Sequence, residues 1–153
     1  RVLFRSVTAA DISPRALAVA RRNAERHGVA ARITFLEGDL LQPLRDAGQA
    51  PVDAIAANLP YIAEEEMGAL MPEVRDYEPD LALRAGDGGL ALIQRLIREA
   101  GDVLVPGGLL ALEVGVGQAE KVVAALHESH WRNIRVITDY GGISRHVLGE
   151  YGV

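Results

Sequence analysis

Cysteine is missing altogether from the 153 residues. That absence removes disulfides, thiolate nucleophiles and Cys-based zinc sites together, and it fits a reducing compartment. Long apolar runs are missing too. Pro106-Gly107-Gly108 interrupts the longest candidate, well short of the ~20 residues that a membrane span needs. No charged-then-apolar leader is visible, so nothing argues for secretion, and a cytoplasmic protein away from membranes is expected. Positive charge is not in excess: the formal net charge is -5, whereas nucleic-acid-binding domains usually carry a basic face. A nucleic-acid partner is therefore not expected. Internal repeats, low-complexity tracts and linkers are absent as well. What remains is an ordinary globular composition, 49% hydrophobic and 24% charged. The length fits one domain that buries roughly two-thirds of its unfolded surface.

Strand and helix patterns alternate along the chain with short joints, the pattern of an α/β, doubly wound, mostly parallel sheet. Val7 to Asp11 is a short apolar run ending on an acid. Ser13-Pro14 then opens a helix, with Ser as N-cap and Pro at the first helical position, where its missing N–H is harmless. Leu17, Ala20 and Ala24 keep a helical stripe, and Gly28 ends it. Ile33 to Leu36 makes a second strand, followed by Glu37-Gly38-Asp39, and Val52 to Ala57 a third, apolar except for Asp53. Residues 62–88 read as a short helix and a long irregular segment containing Pro72 and Pro79; such a stretch is usually functional or mobile. Helix is expected again from Leu90 to Leu104, with Leu92, Ile93, Leu96, Ile97 and Ala100 on one face. Pro106-Gly107-Gly108 reads as a turn, Leu109 to Val114 as a buried strand and Ala119 to Glu128 as a helix. Trp131–Thr138 and Arg145–Glu150 look like an antiparallel C-terminal pair around Tyr140-Gly141-Gly142.

The start does not fit this pattern. A compact α/β cofactor-binding domain normally begins with a strand and a glycine-rich turn that cradles its ligand. Here Arg1-Val2-Leu3-Phe4-Arg5-Ser6 leads directly into what reads as the second strand. The segment looks like translated adapter sequence. Residues 1–6 are therefore expected to be non-native, and residues 7–153 to be one catalytic domain lacking its first strand. A gap or a forced pairing is expected between Val7–Asp11 and Val52–Ala57.

Asn58-Leu59-Pro60-Tyr61 follows the third strand directly, where ligands bind in open α/β sheets. An amide or aromatic amine is a poor nucleophile because its lone pair is delocalised. The Asn58 carboxamide oxygen and the Leu59 carbonyl can each accept one of its N–H bonds, holding the lone pair toward an incoming methyl group. Pro60 stiffens the turn, and Tyr61 can stack on a planar group. No general base is required beforehand, because the proton becomes acidic once the nitrogen is methylated. The plainer reading is a strand-end turn, since Asn and Pro are common turn residues. Asp11 stands where an acid can accept both hydroxyls of a ribose, or else simply adds a favourable charge near a helix N-terminus. Asp39 could accept from the exocyclic amine of an adenine, or close an Asx turn.

Other features read as structure. Gly115-Val116-Gly117 imitates a dinucleotide fingerprint, but Glu120 takes the place of the third glycine. His127 and His130 suit a solvated helix end rather than a metal site, and no metal is expected. Arg21, Arg22 and Arg26 suit an exposed helix face, and Glu64-Glu65-Glu66 suits a helix first turn.

Taken together the residues resemble class I S-adenosylmethionine methyltransferases, and most closely the HemK/PrmC family, the release factor glutamine N5-methyltransferases. The similarity runs over essentially residues 7–153. Its segments are Ala10-Asp11-Ile12-Ser13-Pro14, Glu37-Gly38-Asp39-Leu40, Asn58-Leu59-Pro60-Tyr61-Ile62 and Glu73-Val74-Arg75-Asp76-Tyr77-Glu78-Pro79. Leu109-Leu110-Ala111-Leu112-Glu113-Val114-Gly115 with Gln118, and Ser144-Arg145, extend it. The tetrapeptide is shared with nucleic-acid adenine methyltransferases, whereas the run from Glu73 to Pro79 belongs to the glutamine-directed group. The resemblance implies a Rossmann-like fold and methylation of a glutamine amide in peptide chain release factors, with S-adenosyl-L-methionine as methyl donor. By the same resemblance Asn58, with the Leu59 carbonyl, holds the amide and also borders the cofactor. Pro60, Tyr61 and Glu78 contact the substrate, Asp11 binds the cofactor ribose and Asp39 its adenine end. Two departures stand out: Leu59 replaces the family's usual Pro, and the first strand with its Gly-x-Gly loop is missing. The alternatives are an N6-adenine methyltransferase on RNA or DNA, and a catalytically incomplete fragment.

Overall fold

The computed structural model describes residues 6–152. Apart from Ser6, the opening segment expected to be non-native lies outside the described residues. The chain forms two compact units, one running to Pro51 and the other starting at Val52.

The first unit is a strand–helix–strand crossover. Strand β1 (Val7–Asp11) pairs in parallel with β2 (Ile33–Glu37), Val7 opposite Ile33 and Asp11 opposite Glu37. Helix α1 (Pro14–Arg26) connects them, and its two ends are those expected from the sequence. The Ser13 hydroxyl accepts from the Ala16 N–H at 3.2 Å. At the other end the Gly28 N–H donates to the Glu25 carbonyl and the Val29 N–H to the Ala24 carbonyl, a Schellman closure. Leu17 and Ala24 carry the buried stripe. Arg21 is more than a solvated charge: its guanidinium lies 5.3 Å from the centre of the Phe35 ring. A short helix, α2 (Gln42–Asp46), follows and buries Pro43 and Leu44.

The second unit holds a mixed four-stranded sheet in the order β3-β4-β6-β5. Strand β3 (Val52–Ala57) runs parallel to β4 (Leu104–Glu113), while β6 (Ser144–Tyr151) is antiparallel to both β4 and β5 (Trp131–Thr138). The expected C-terminal strand pair is therefore present, locked by Trp131 meeting Tyr151 edge-on at 5.5 Å. Strands β1 and β3 belong to separate ladders. Helices α5 (Ala91–Ala100) and α6 (Ala119–His127) supply much of the core, with Ile93, Leu96, Ile97, Val122 and Leu126 packed with Leu110, Leu112 and Val147 of the sheet. Among the described residues no helix is long and apolar enough to cross a membrane.

Two local expectations differ from the structure. Helix α5 stops at Ala100 rather than Leu104, because Gly101 caps it and the Asp102 and Val103 N–H groups close back on Glu99 and Ala100. Val103 and Leu104 are buried, so their apolar character suited either structure. Pro106-Gly107-Gly108 lies inside β4 as an irregularity: Val52 pairs with Leu104 and Ala54 with Leu109, so extra residues leave the ladder there. Strand β3 buries only Ile55 fully, in keeping with its place at the edge of its sheet.

Residues 62–90 are not structureless either. They form two 3-10 turns (Glu64–Ala69 and Asp87–Gly89) and two one-turn helices, α3 (Pro72–Arg75) and α4 (Asp80–Leu83). Ala63, Met67, Leu83 and Ala85 anchor the segment by burial. Arg84 adds an electrostatic tie, pairing with Glu64 and, at 3.3 Å, with Asp80.

Candidate active site

Strand ends and helix starts place the predicted residues. Asp11 closes β1, and its Oδ1 accepts from the Ser13 N–H at 2.8 Å. Its carbonyl accepts from the Gly38 N–H at 3.0 Å, binding the ends of β1 and β2 together. The side chain is exposed, and among the described residues Oδ2 meets no hydrogen-bond donor. The structural and the ligand-binding readings of Asp11 are thus compatible, because each uses a different oxygen. Asp39 is half-buried just after β2, and its carbonyl accepts from the Gln42 N–H at 3.1 Å at the start of α2.

In the second unit the β3–β4 ladder ends with Ala57 opposite Leu112, and Asn58 follows at once. Asn58 is exposed, and among the described residues its carboxamide has no hydrogen-bond partner. Leu59, Pro60 and Tyr61 are half-buried. The exit from the turn is pinned three times. The Tyr61 carbonyl accepts from Gln118 Nε2 at 2.8 Å. The Ile62 N–H donates to the Leu83 carbonyl at 3.0 Å, and the Ala85 N–H donates to the Ile62 carbonyl at 3.2 Å. Asn58, Leu59 and Pro60 are therefore stretched between a strand end and a fixed backbone. A free carboxamide on such a turn is a preorganised hydrogen-bonding group rather than a floppy one.

Sequence reasoning did not foresee how Gln118 and Gly89 serve this turn. Gln118 is the N-cap residue of α6 and is only 9% exposed. Its Oε1 accepts from the Gly115 N–H at 2.9 Å while its Nε2 serves Tyr61. That explains the glycine at 115, where a Cβ would lie 2.9 Å from Gln118 Oε1 and 3.1 Å from Tyr61 Cδ2. Gly89 has φ +84, and a Cβ there would fall on the Tyr61 carbonyl oxygen. The resemblance to a dinucleotide loop at Gly115-Val116-Gly117 is thus explained by packing. A polar residue opening a helix three positions after a glycine was the available signal.

The discriminating run from Glu73 to Pro79 begins in α3, and all of it except half-buried Val74 is exposed, Tyr77 to 85%. The Glu78 N–H donates to the Val74 carbonyl at 3.0 Å, and its side chain has no hydrogen-bond or ionic partner among the described residues. No bond of that kind joins Glu78 to the tetrapeptide. Arg75 and Asp76 pair at 2.8 Å, which lowers the Asp76 carboxyl below its ordinary range and raises Arg75 further.

Known proteins resemble this chain in sequence and in fold. A methyltransferase domain family model matches residues 2–77. The release factor glutamine methyltransferase of Geobacter sulfurreducens is 42% identical over 95% of this chain and 50% of its own length. That of Moorella thermoacetica is 46% identical over 91% of this chain and 48% of its own. The chain resembles these release factor glutamine methyltransferases. It spans about half the length of these curated relatives. Solved structures agree on a class I methyltransferase fold. TrmN from Thermus thermophilus superposes with a TM-score of 0.62 at 25% identity, over 95% of this chain and 36% of that one. The ribosomal protein L11 methylase from Lactobacillus delbrueckii subsp. bulgaricus reaches 0.65 at 20% identity, over 97% and 59%.

Proposed function

We propose that the full-length protein transfers a methyl group from S-adenosyl-L-methionine to the side-chain amide nitrogen of a glutamine in a peptide chain release factor, and so acts in translation termination in the cytoplasm. The observation that carries this reading is the exposed Asn58 carboxamide, without a hydrogen-bond partner among the described residues, on a turn held at both ends. Two acceptors are needed to hold a primary amide by its two N–H bonds. The Asn58 side-chain oxygen supplies one and the Leu59 carbonyl the other. With both N–H bonds held, the nitrogen lone pair has one direction left, and the barrier is lowered by orientation. Leu59 in place of proline leaves that backbone acceptor unchanged. Pro60 keeps the turn stiff, and Tyr61 lines the pocket for the planar amide. Glu78, exposed and unpaired among the described residues, offers a carboxylate to the flanking substrate peptide.

The residues of the first unit suit the cofactor's polar groups. Asp11 keeps Oδ2 for ribose hydroxyls, and Asp39 is proposed for the adenine end. Asn58 is proposed to border the bound cofactor as well as the amide. When bound, S-adenosyl-L-methionine supplies an electrophilic methyl group. No side chain here needs to remove a proton first, since the methylated amide nitrogen loses its proton readily to water. The net charge of -5 favours a protein substrate over a polyanion. Incubation of the full-length protein with labelled cofactor and either a release factor or ribosomal RNA tests the assignment. Label in the release factor is expected; label in RNA alone refutes it.

A further inference from the structure

Gln118 bridges two backbone groups far apart in the chain, one in need of an acceptor and the other of a donor. The Gly115 N–H needs an acceptor, which Gln118 Oε1 provides at 2.9 Å. The Tyr61 carbonyl needs a donor, which Gln118 Nε2 provides at 2.8 Å across a separation of 57 residues. A primary amide offers both functions at once. An ionised carboxylate satisfies Gly115 and repels Tyr61; an apolar side chain satisfies neither. The amide's own position is fixed, because the Gln118 N–H also closes on the Gly115 carbonyl at 3.2 Å and the Gln118 carbonyl accepts the Val122 N–H of α6. Gly89 packs from another side, so close that a Cβ would lie 2.5 Å from Gln118 Nε2. With the residue only 9% exposed, water is a poor substitute for either bond.

We infer that Gln118 is a positioning residue for methyl transfer: by holding the Tyr61 carbonyl it fixes the backbone direction of the Asn58–Tyr61 turn, and with it the two acceptors that grip the substrate amide. The inference rests on the function proposed above, and it adds a residue that never touches substrate. It separates binding from rate. The turn's acceptors must be aligned when the nitrogen reacts, so loosening them lowers kcat far more than it raises the KM for the cofactor, whose polar groups are proposed to rest chiefly on Asp11 and Asp39.

Three forms of the full-length protein test this: wild type, Gln118→Leu and Gln118→Glu, each assayed for methyl transfer to a release factor and for amide hydrogen exchange. Gln118→Leu is expected to lose roughly ten- to a hundredfold in kcat, the scale of a misplacement of about 1 Å. Its KM for the cofactor should stay within about twofold, and exchange at Gly115 should quicken. Gln118→Glu divides the two bonds. At neutral pH its carboxylate still accepts from Gly115, so exchange at that amide stays slow while kcat falls. As pH drops and the carboxyl protonates, it regains a donor for Tyr61, and kcat relative to wild type climbs. Burial raises such a carboxyl's pKa, which brings the recovery above the ordinary carboxylate range.

Wild-type-like kcat in both variants overturns the inference. So does a loss in Gln118→Glu that does not recover on acidification while its unfolding midpoint matches wild type. A wild type that methylates no glutamine refutes the proposed function instead, and exchange at Gly115 and Ile62 then still reads the bridge: unchanged protection in Gln118→Leu overturns it.

Discussion

Asp11 accepts the Ser13 N–H with one carboxylate oxygen and keeps the other clear of donors among the described residues. Amide and carboxylate differ at this position in a testable way. Asp11→Asn keeps an oxygen for the Ser13 N–H and should leave the unfolding midpoint nearly unchanged, while cofactor affinity falls at least about tenfold, the worth of a charge-assisted bond. Asp11→Ala should lose both, with an additional destabilisation of about 1 kcal/mol for the lost hydrogen bond. Calorimetric titration and thermal unfolding of the full-length variants separate the two effects.

Asn58 lends itself to a cleaner substitution, because its side chain is exposed and holds nothing in the fold among the described residues. Asn58→Ala should therefore fold as wild type. Its kcat for release factor methylation should fall by about 10²–10³, the scale for losing one preorganised hydrogen-bonding group at a reacting centre. Steady-state kinetics beside a urea melt provide the check, and a matching loss of stability would contradict the assignment.

Gly89 carries a prediction about the fold. An alanine there must hold φ +84 and place its Cβ on the Tyr61 carbonyl oxygen. Gly89→Ala should lose more than about 1 kcal/mol in denaturant unfolding, beyond the ordinary penalty of a strained backbone, because the Tyr61 backbone must also move. Methyl transfer should fall with it.

The turn between β5 and β6 carries a prediction about pH. Asp139 Oδ1 accepts from the Ile143 N–H at 3.0 Å and from the Gly141 N–H at 2.8 Å, and Arg145 stands 3.6 Å from Oδ2. These bonds, the one from Ile143 foremost, hold its carboxyl below the ordinary range. A carboxyl lowered on folding stabilises the fold above its unfolded value, and that contribution disappears as pH falls through the folded one. Asp139 should therefore titrate below the ordinary carboxylate range by NMR. Asp139→Ala should flatten the acid limb of the stability profile and leave the neutral region's slope unchanged.

Much of the fold could be read from residue order because local chemistry and tertiary structure agree there. Ser13-Pro14 and Gly28 mark both ends of α1, since capping depends only on neighbouring residues. Val103 and Leu104 misled because a buried apolar pair is equally at home in a helix or a strand, and the pairing with Val52 is a long-range fact. The segment after the tetrapeptide looked irregular because its helical turns are too short to show a period; burial of Met67 and Leu83 and the grip of Arg84 hold them. Asn58-Leu59-Pro60-Tyr61 was legible as a motif at a strand end. Its support by Gln118 was not, because a hydrogen bond across so much sequence leaves no local trace.

The central claim is that the nitrogen held at Asn58 is a glutamine's. Mass spectrometry of a release factor incubated with the full-length protein and S-adenosyl-L-methionine tests it most directly. One added methyl group on a glutamine side chain, absent with Asn58→Ala, is the predicted result. An unmodified release factor beside methylated adenine in RNA would contradict it.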